Sequence, residues 1–200
     1  MAVMSSRPAG PMTRTRNRWG EGDRLRAEIL DAASRLLSEL DNEDGLTIRG
    51  VARATGIAPA SIYSHFADRA ALLDGLLDHE IERMRELIAG ADGARAQLRA
   101  YCDFAVAHPG HYRILFRRRS DQPPESPSPM TAILAEFQRS LERAAEGGAQ
   151  LRLPADRAAV VVFMAAHGRM ALYHANPTER SAQKIPQFVD ELISLVLDHP

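Results

Sequence analysis

With 200 residues, 45% of them hydrophobic and 26% charged, the chain carries enough apolar material to bury the core of one or two ordinary domains. Its longest apolar run, Ala158 to Ala166, is about half of the roughly 20 residues that a bilayer-crossing helix needs, so no membrane span is expected. The formal net charge of −1 excludes a polyanion-binding surface spread over the whole molecule, and the lone Cys102 excludes an internal disulfide framework and suits a reducing compartment.

The charge is unevenly placed. Residues 1–26 hold six arginines against Glu21 and Asp23, and residues 47–69 hold Arg49, Arg53 and Arg69 against Asp68, with an acidic turn of Glu39, Asp41, Glu43 and Asp44 between them. A polyanion-binding surface is therefore expected locally, in the N-terminal part. Residues 1–22 mix Pro, Gly, Ser, Thr and Arg without periodicity and read as a flexible arm. They have no apolar secretory segment, so a cytoplasmic location is expected. Arg14, Arg16 and Arg18 suit entry into a minor groove, although a solvated tail fits the same composition.

From Arg24 to Leu40 apolar residues fall at Leu25, Ile29, Ala32, Ala33, Leu36, Leu37 and Leu40, the spacing of one helical face, with Asp23 in position to cap it. "DNEDG" interrupts, and Thr47 caps a second helix reaching about Thr55. Gly56 ends that helix by admitting a left-handed backbone. Pro59 suits the first turn of a short third helix, where its missing N–H is not needed. Asp68 caps a fourth, whose stripe of Leu73, Leu77, Ile81, Met84 and Ile88 runs on toward Ala89.

The second half is also helical. Leu98, Tyr101, Cys102, Ala105 and Val106 mark one helix, "PGHYRILF" a short one, and "SDQPPESPSP" a Pro/Ser loop. Met130 to Ala145 reads as a helix closed by Gly147 and Gly148, another begins near Pro154 or Asp156, and the last begins near Pro186 with Val189, Leu192, Ile193 and Val196 on its apolar face. No run alternates like a strand, so the fold class is all-α, with the short helices of the N-terminal part followed by a longer helical C-terminal part.

The helix-turn-helix rests on geometry. Two short helices crossing steeply need a small residue at the crossing, which Ala52 supplies, and a tight turn, which Gly56 supplies four residues later. Ile48, Val51, Ile57 and Ile62 anchor the pair. The second helix of such a unit enters the major groove, so the small Pro59, Ala60 and Ser61 at its tip permit close approach to base edges.

The stretch "LTIRGVARATGIAPASIYSHFADRAALL", with Tyr63, His65 and Phe66 in a Tyr-x-His-Phe pattern, resembles the DNA-binding domain of the TetR family of bacterial transcriptional regulators. "RAEILDAASRLLSEL" resembles that family's first helix, and the likeness covers about residues 24–80. The resemblance implies that Thr47 and Tyr63 give hydroxyls to phosphates beside His65. It also implies that Arg49, Ala60 and Ser61 lie nearest base edges, and that Arg69, where the family usually has lysine, meets a phosphate. Asp41-Asn42 replaces a glycine usual in the loop after the first helix. It implies, too, an arm at 1–22, a DNA-binding domain at 23–70, and an effector-binding and dimerisation domain at 71–200.

"FAVAHPGHYRILF" and "AAHGRMALYHA" are similar to the WHG-type effector domain, with Ala166 in place of that pattern's tryptophan. In the family the last two helices form a four-helix dimer interface, for which Ala165, Gly168, Ala171, Leu172, Leu192, Ile193 and Val196 are candidates. Tyr101, Phe104, His108, Phe116, Phe137, Met164 and His167 are candidates for a small-molecule effector pocket. Ordinary core packing explains both sets as well. The expected partners are thus a palindromic DNA operator, a second copy of the chain and an unidentified effector, with repression as the family's habit.

Enzymatic chemistry is not expected. None of the histidines (65, 79, 108, 111, 167, 174 and 199) sits in a metal-binding helix motif, no glycine-rich phosphate loop occurs and no nucleophile is paired with a base, so no metal or cofactor is anticipated. Arg113, Arg117, Arg118 and Arg119 could form a second polyanion contact or a solvated charged face.

Overall fold

The computed structural model describes residues 21–40, 43–117, 119, 123 and 130–198. The arginine arm, the Asp41-Asn42 step, Arg118 and most of the Pro/Ser stretch lie outside the described residues. Helix α1 (Glu21–Glu39) begins before Asp23, which lies inside the first turn instead of capping it. A 3-10 turn at Glu43–Gly45 leads to α2 (Ile48–Thr55), α3 (Pro59–Tyr63) and α4 (Arg69–Ala89). The second half comprises α5 (Gly93–Ala107), α6 (Pro109–Ile114), α7 (Thr131–Glu146), α8 (Ala155–Ala175), α9 (Glu179–Gln183) and α10 (Ile185–Val196).

Local chemistry sets the ends of the N-terminal helices. Thr47 Oγ1 accepts the Gly50 N–H at 3.0 Å, and Asp68 Oδ1 accepts the Ala71 N–H at 2.8 Å, each satisfying a donor that a helix start leaves open. Gly56 adopts φ 72° and ψ 22°, and the Ile57 N–H closes on the Ala52 carbonyl at 3.0 Å. An added Cβ at Gly56 would meet nothing within 4 Å, so the glycine is needed for its backbone angle and not for space.

Two hydrophobic cores result. The first gathers Ile29, Ala33 and Leu37 of α1, Ile48, Val51 and Ala52 of α2, Ile62 of α3, and Leu72, Leu73 and Leu76 of α4. The second gathers Leu77, Ile81, Met84 and Ile88 of α4 with residues of α5, α7, α8 and α10. Helix α4 thus belongs to both. So does α6, which sends Ile114 into the first core and Tyr112 into the second. Gly110 lets α6 sit against α1, because a Cβ there would lie 2.6 Å from the Leu37 carbonyl oxygen.

Two elements were not expected from sequence. Helix α9 carries no apolar stripe and stands on a capping box between Thr178 and Ser181. Strands β1 (Gln150–Leu151) and β2 (Leu197–Asp198) form one antiparallel bridge, braced by Arg152 on Asp198, which leaves the all-α class unchanged. No described helix is long and apolar enough to cross a membrane.

Gly56→Ala should cost about 1–2 kcal/mol of stability from the left-handed backbone alone. Gly110→Ala, which forces a methyl onto a backbone carbonyl, should cost about 1–3 kcal/mol. Urea denaturation checks both, and a neutral Gly110→Ala would mean that α6 is not seated on α1 at this distance.

Candidate nucleic-acid interface

The α2–α3 unit buries Ile48, Val51, Ala52 and Ile62 and packs Ile57 against the same core. Thr47, Arg49, Pro59 and Ala60 are exposed, Ser61 and His65 are half-buried, and Tyr63 shows 54% of its surface. No Asp or Glu occurs between Thr47 and Ala67, where the only formal charges are Arg49 and Arg53. Ala58, which precedes α3, makes no side-chain cap, so the tip is small, uncharged and flanked by cations. Thr47 uses its oxygen as an acceptor within the cap, which leaves its own O–H to donate outward.

Arg69 is placed otherwise than expected. Its Nε donates to the Leu46 carbonyl at 2.7 Å and its Nη2 to the Glu43 carbonyl at 2.5 Å. Lying at the first turn of α4, the side chain folds back across the segment before α2, and its Nε and Nη2 are engaged within the protein. Arg117 and Arg119, which follow α6, are likewise engaged. Arg117 pairs with Asp74 of α4 and, at 3.3 Å, with Glu43, and Arg119 donates to Asp78 at 2.6 Å. These ion pairs argue against a second polyanion surface at Arg117 and Arg119.

A further polar knot ties α1, α4 and α6 together. Arg83 donates to Ser34 Oγ at 2.8 Å and to both oxygens of the buried Glu80, while Ser34 Oγ lies 3.1 Å from His111 Nε2. Burial pushes the His111 pKa down, with Glu80 pulling it the other way. Sequence periodicity gives no warning of this knot, since a buried Glu80 and Ser34 look like solvent-facing residues until their partners are known.

The candidate effector residues separate into three groups. Tyr101 and Phe137 are fully buried and Phe104 nearly so. Phe116 and His167 stack at 4.1 Å between ring centroids and join Tyr112, whose hydroxyl lies 2.7 Å from His167 Nδ1. Tyr112 also stacks on His174 at 4.6 Å, and Phe163 links Tyr101 to the cluster at 5.4 Å. His108 is exposed at the α5–α6 junction beside Phe104, and Met164, 59% exposed, points away from the interior. Burial holds His167 and His174 below the usual imidazole range and pushes Tyr112 up to about 12, so the cluster offers hydrogen bonds without charge. Tyr112, Phe163 and His174 were not among the expected residues, although their spacing on α6 and α8 matches the ones that were.

The candidate dimer residues also divide. Leu192, Ile193 and Val196 are buried in their own subunit's core and cannot cover a partner, because α10 packs that face on α5 and α8. Ala165 is half-buried, while Gly168, Ala171 and Leu172 face outward. With Val160, Val161 and Met164 they make an apolar stripe along α8, and Leu195 is exposed on α10, which packs against α8. The signal for Val160 and Val161 is present in the sequence as a helix apolar on every side, which a single core cannot use up.

Residues 29–76 match the family model for bacterial regulatory proteins of the tetR family, and residues 94–196 match the tetracyclin repressor-like C-terminal domain. Among solved structures, the chain resembles a protein of unknown function from Rhodococcus sp. RHA1, at a TM-score of 0.66 and 24% identity over 93% of this chain and 99% of that one. It also resembles SmeT, the repressor of the Stenotrophomonas maltophilia multidrug efflux pump SmeDEF, at a TM-score of 0.64 and 17% identity over 86% and 90%. A SmeT–triclosan complex matches at a TM-score of 0.62 and 17% identity over 86% and 91%. At such identities these structures speak to the fold. Together with the two family models, which span both halves, they establish that the chain belongs to the TetR family and is a transcriptional regulator with a helix-turn-helix DNA-binding domain.

Proposed function

We propose that the protein is a sequence-specific repressor that binds a palindromic operator as a homodimer and leaves it when a small molecule occupies the second core. The observation that carries this reading is the carboxylate-free, small-residue tip at Pro59, Ala60 and Ser61, held outward by the buried Ile62. A helix reads base edges only if its backbone can approach them, and bulky or acidic side chains at the tip would prevent that. Thr47, Tyr63 and His65 would meet phosphates and Arg49, Ala60 and Ser61 the bases, which divides positioning from specificity. Residues 23–70 would act as the reading unit and 71–200 as the effector and dimerisation unit, with α4 shared physically between them.

The α8 stripe supports dimerisation. Leu172 is 72% exposed and Leu195 66%, and contiguous exposed apolar side chains of this kind are unfavourable in water unless a partner covers them. Two copies also meet the reading problem, since one short helix spans few base pairs and two must stand about 34–36 Å apart, or a multiple of that, to use successive major grooves. For the effector, the uncharged cluster of Tyr112, Phe116, Phe163, His167 and His174 favours a neutral, partly aromatic molecule over an ion.

Three outcomes test the reading. Selection from random DNA should enrich a palindrome, and enrichment of nothing would remove sequence-specific regulation. Tyr63→Phe, which deletes one hydroxyl donor to a phosphate, should weaken binding to all duplexes by about 1.5–3 kcal/mol, at least roughly tenfold in affinity. Ser61→Ala should have a smaller effect confined to particular base positions, and equal, negligible losses from both would move the contact surface elsewhere. Leu172→Glu should yield monomers in sedimentation velocity and lose the palindrome while keeping helical content; an unchanged dimer would place the interface off α8.

A further inference from the structure

Phe116 and Arg117 are adjacent in the chain yet serve different places. The Phe116 ring stacks on His167 and lies 5.0 Å from Tyr112, inside the aromatic cluster. The Arg117 guanidinium, largely buried, pairs with Asp74 on α4 and with Glu43 in the turn before α2. The backbone between them is held in a continuing turn, with the Phe116 N–H on the Arg113 carbonyl at 3.2 Å and the Arg117 N–H on the Ile114 carbonyl at 3.0 Å. Displacement of Phe116 therefore drags Arg117.

The far end of the link is equally tied. Glu43 receives Arg117 on its side chain and Arg69 on its carbonyl, so the turn that sets the start of α2 is gripped twice. Both grips come from outside the α2–α3 pair, one from α4 and one from the segment after α6. The Asp74 carboxylate is nearly buried, and a buried carboxylate holds its guanidinium partner in one geometry because leaving it unpaired is costly.

Resting on the DNA-reading role proposed above, we propose that Arg117 is a positioning residue for the reading helices. By bridging Glu43 and Asp74 it fixes the angle of the α2–α3 pair against α4, and hence the separation of the two tips in a dimer. Disturbance of Phe116 by a ligand in the aromatic cluster loosens that bridge. Arg117 itself touches no DNA.

A palindrome needs both tips at a fixed distance, whereas an isolated half-site needs only one, so the two duplexes separate positioning from contact. Affinities are measured by fluorescence anisotropy for the selected palindrome and for one half-site in unrelated sequence, with wild type, Arg117→Gln, Glu43→Gln and the double variant. Helical content and melting temperature are recorded for each. Arg117→Gln should weaken the palindrome about tenfold, the size of a typical coupling between sites, and leave the half-site within about twofold. Glu43→Gln should weaken the palindrome in the same direction, although removing a negative charge would by itself tighten both duplexes. The double variant should be no worse than Arg117→Gln, because both changes cut one bridge.

Equal losses on the two duplexes, multiplied losses in the double variant, or unchanged palindrome binding by a folded Arg117→Gln would each overturn the proposal. Should Arg117→Gln fail to fold, Glu43→Gln decides by the same comparison, since it breaks the bridge at its more exposed end. Wild-type protein that prefers neither duplex over unrelated DNA would instead overturn the DNA-reading role, and the bridge would fall with it.

Discussion

One helix belonging to two hydrophobic cores governs how this molecule behaves. Leu72, Leu73 and Leu76 of α4 pack with α1, α2 and α3, and from the very next residue Leu77, Ile81, Met84 and Ile88 pack with the C-terminal helices. The cores therefore share a rigid member and cannot shift independently without opening a gap on one side of it. Close-packed interiors resist such opening because a small gap already forfeits a large part of the dispersion attraction. Movement of either core must appear as reorientation of α4 relative to the other.

Polar groups are placed where they guide that reorientation. The Glu80, Arg83, Ser34 and His111 knot joins α4, α1 and α6 at one side, and the arginines at 69 and 117 join α4 to the turn before α2 at the other. Buried ion pairs contribute little net stability, since desolvation offsets most of their attraction. Their value here lies in geometry: an arrangement that pairs every charge is favoured over neighbouring arrangements that do not.

Much of this is legible in the sequence, for identifiable reasons. Helix starts are readable because Thr47, Pro59 and Asp68 satisfy or remove backbone donors by local chemistry, and the turn because Gly56 alone tolerates φ 72° there. Apolar spacing marks the inward faces of α4 and α10. It cannot tell that the inward face of α10 is consumed by its own subunit, so Leu192, Ile193 and Val196 look partner-facing in the sequence while Val160, Val161 and Leu195 escape notice. Periodicity identifies a buried face without saying what buries it. Arg69 and Arg117 mislead for a related reason, since whether a cation meets a phosphate or a carbonyl depends on residues more than 20 positions away. Helix α9 is hidden because a capping box and not an apolar stripe supports it.

The dimensions indicate how small an internal change suffices. Helix α4 has 21 residues and is roughly 31 Å long, so a tilt of about 5° about one end moves the other by roughly 3 Å. In the proposed dimer, two reading tips that must each fit a groove one helical turn apart would tolerate little such error, because base-edge hydrogen bonds weaken steeply away from their optimum geometry. Under the proposed effector control, a ligand need not unfold or deeply rearrange the second core to act on DNA binding. It must only favour a packing of α6 and α8 in which α4 rests a few degrees away, and its influence is bounded by how much better it binds that packing than the DNA-compatible one. In that proposed dimer, a lever shared by both cores would turn a difference of that size, which side-chain repacking readily supplies, into tips that no longer fit two grooves at once.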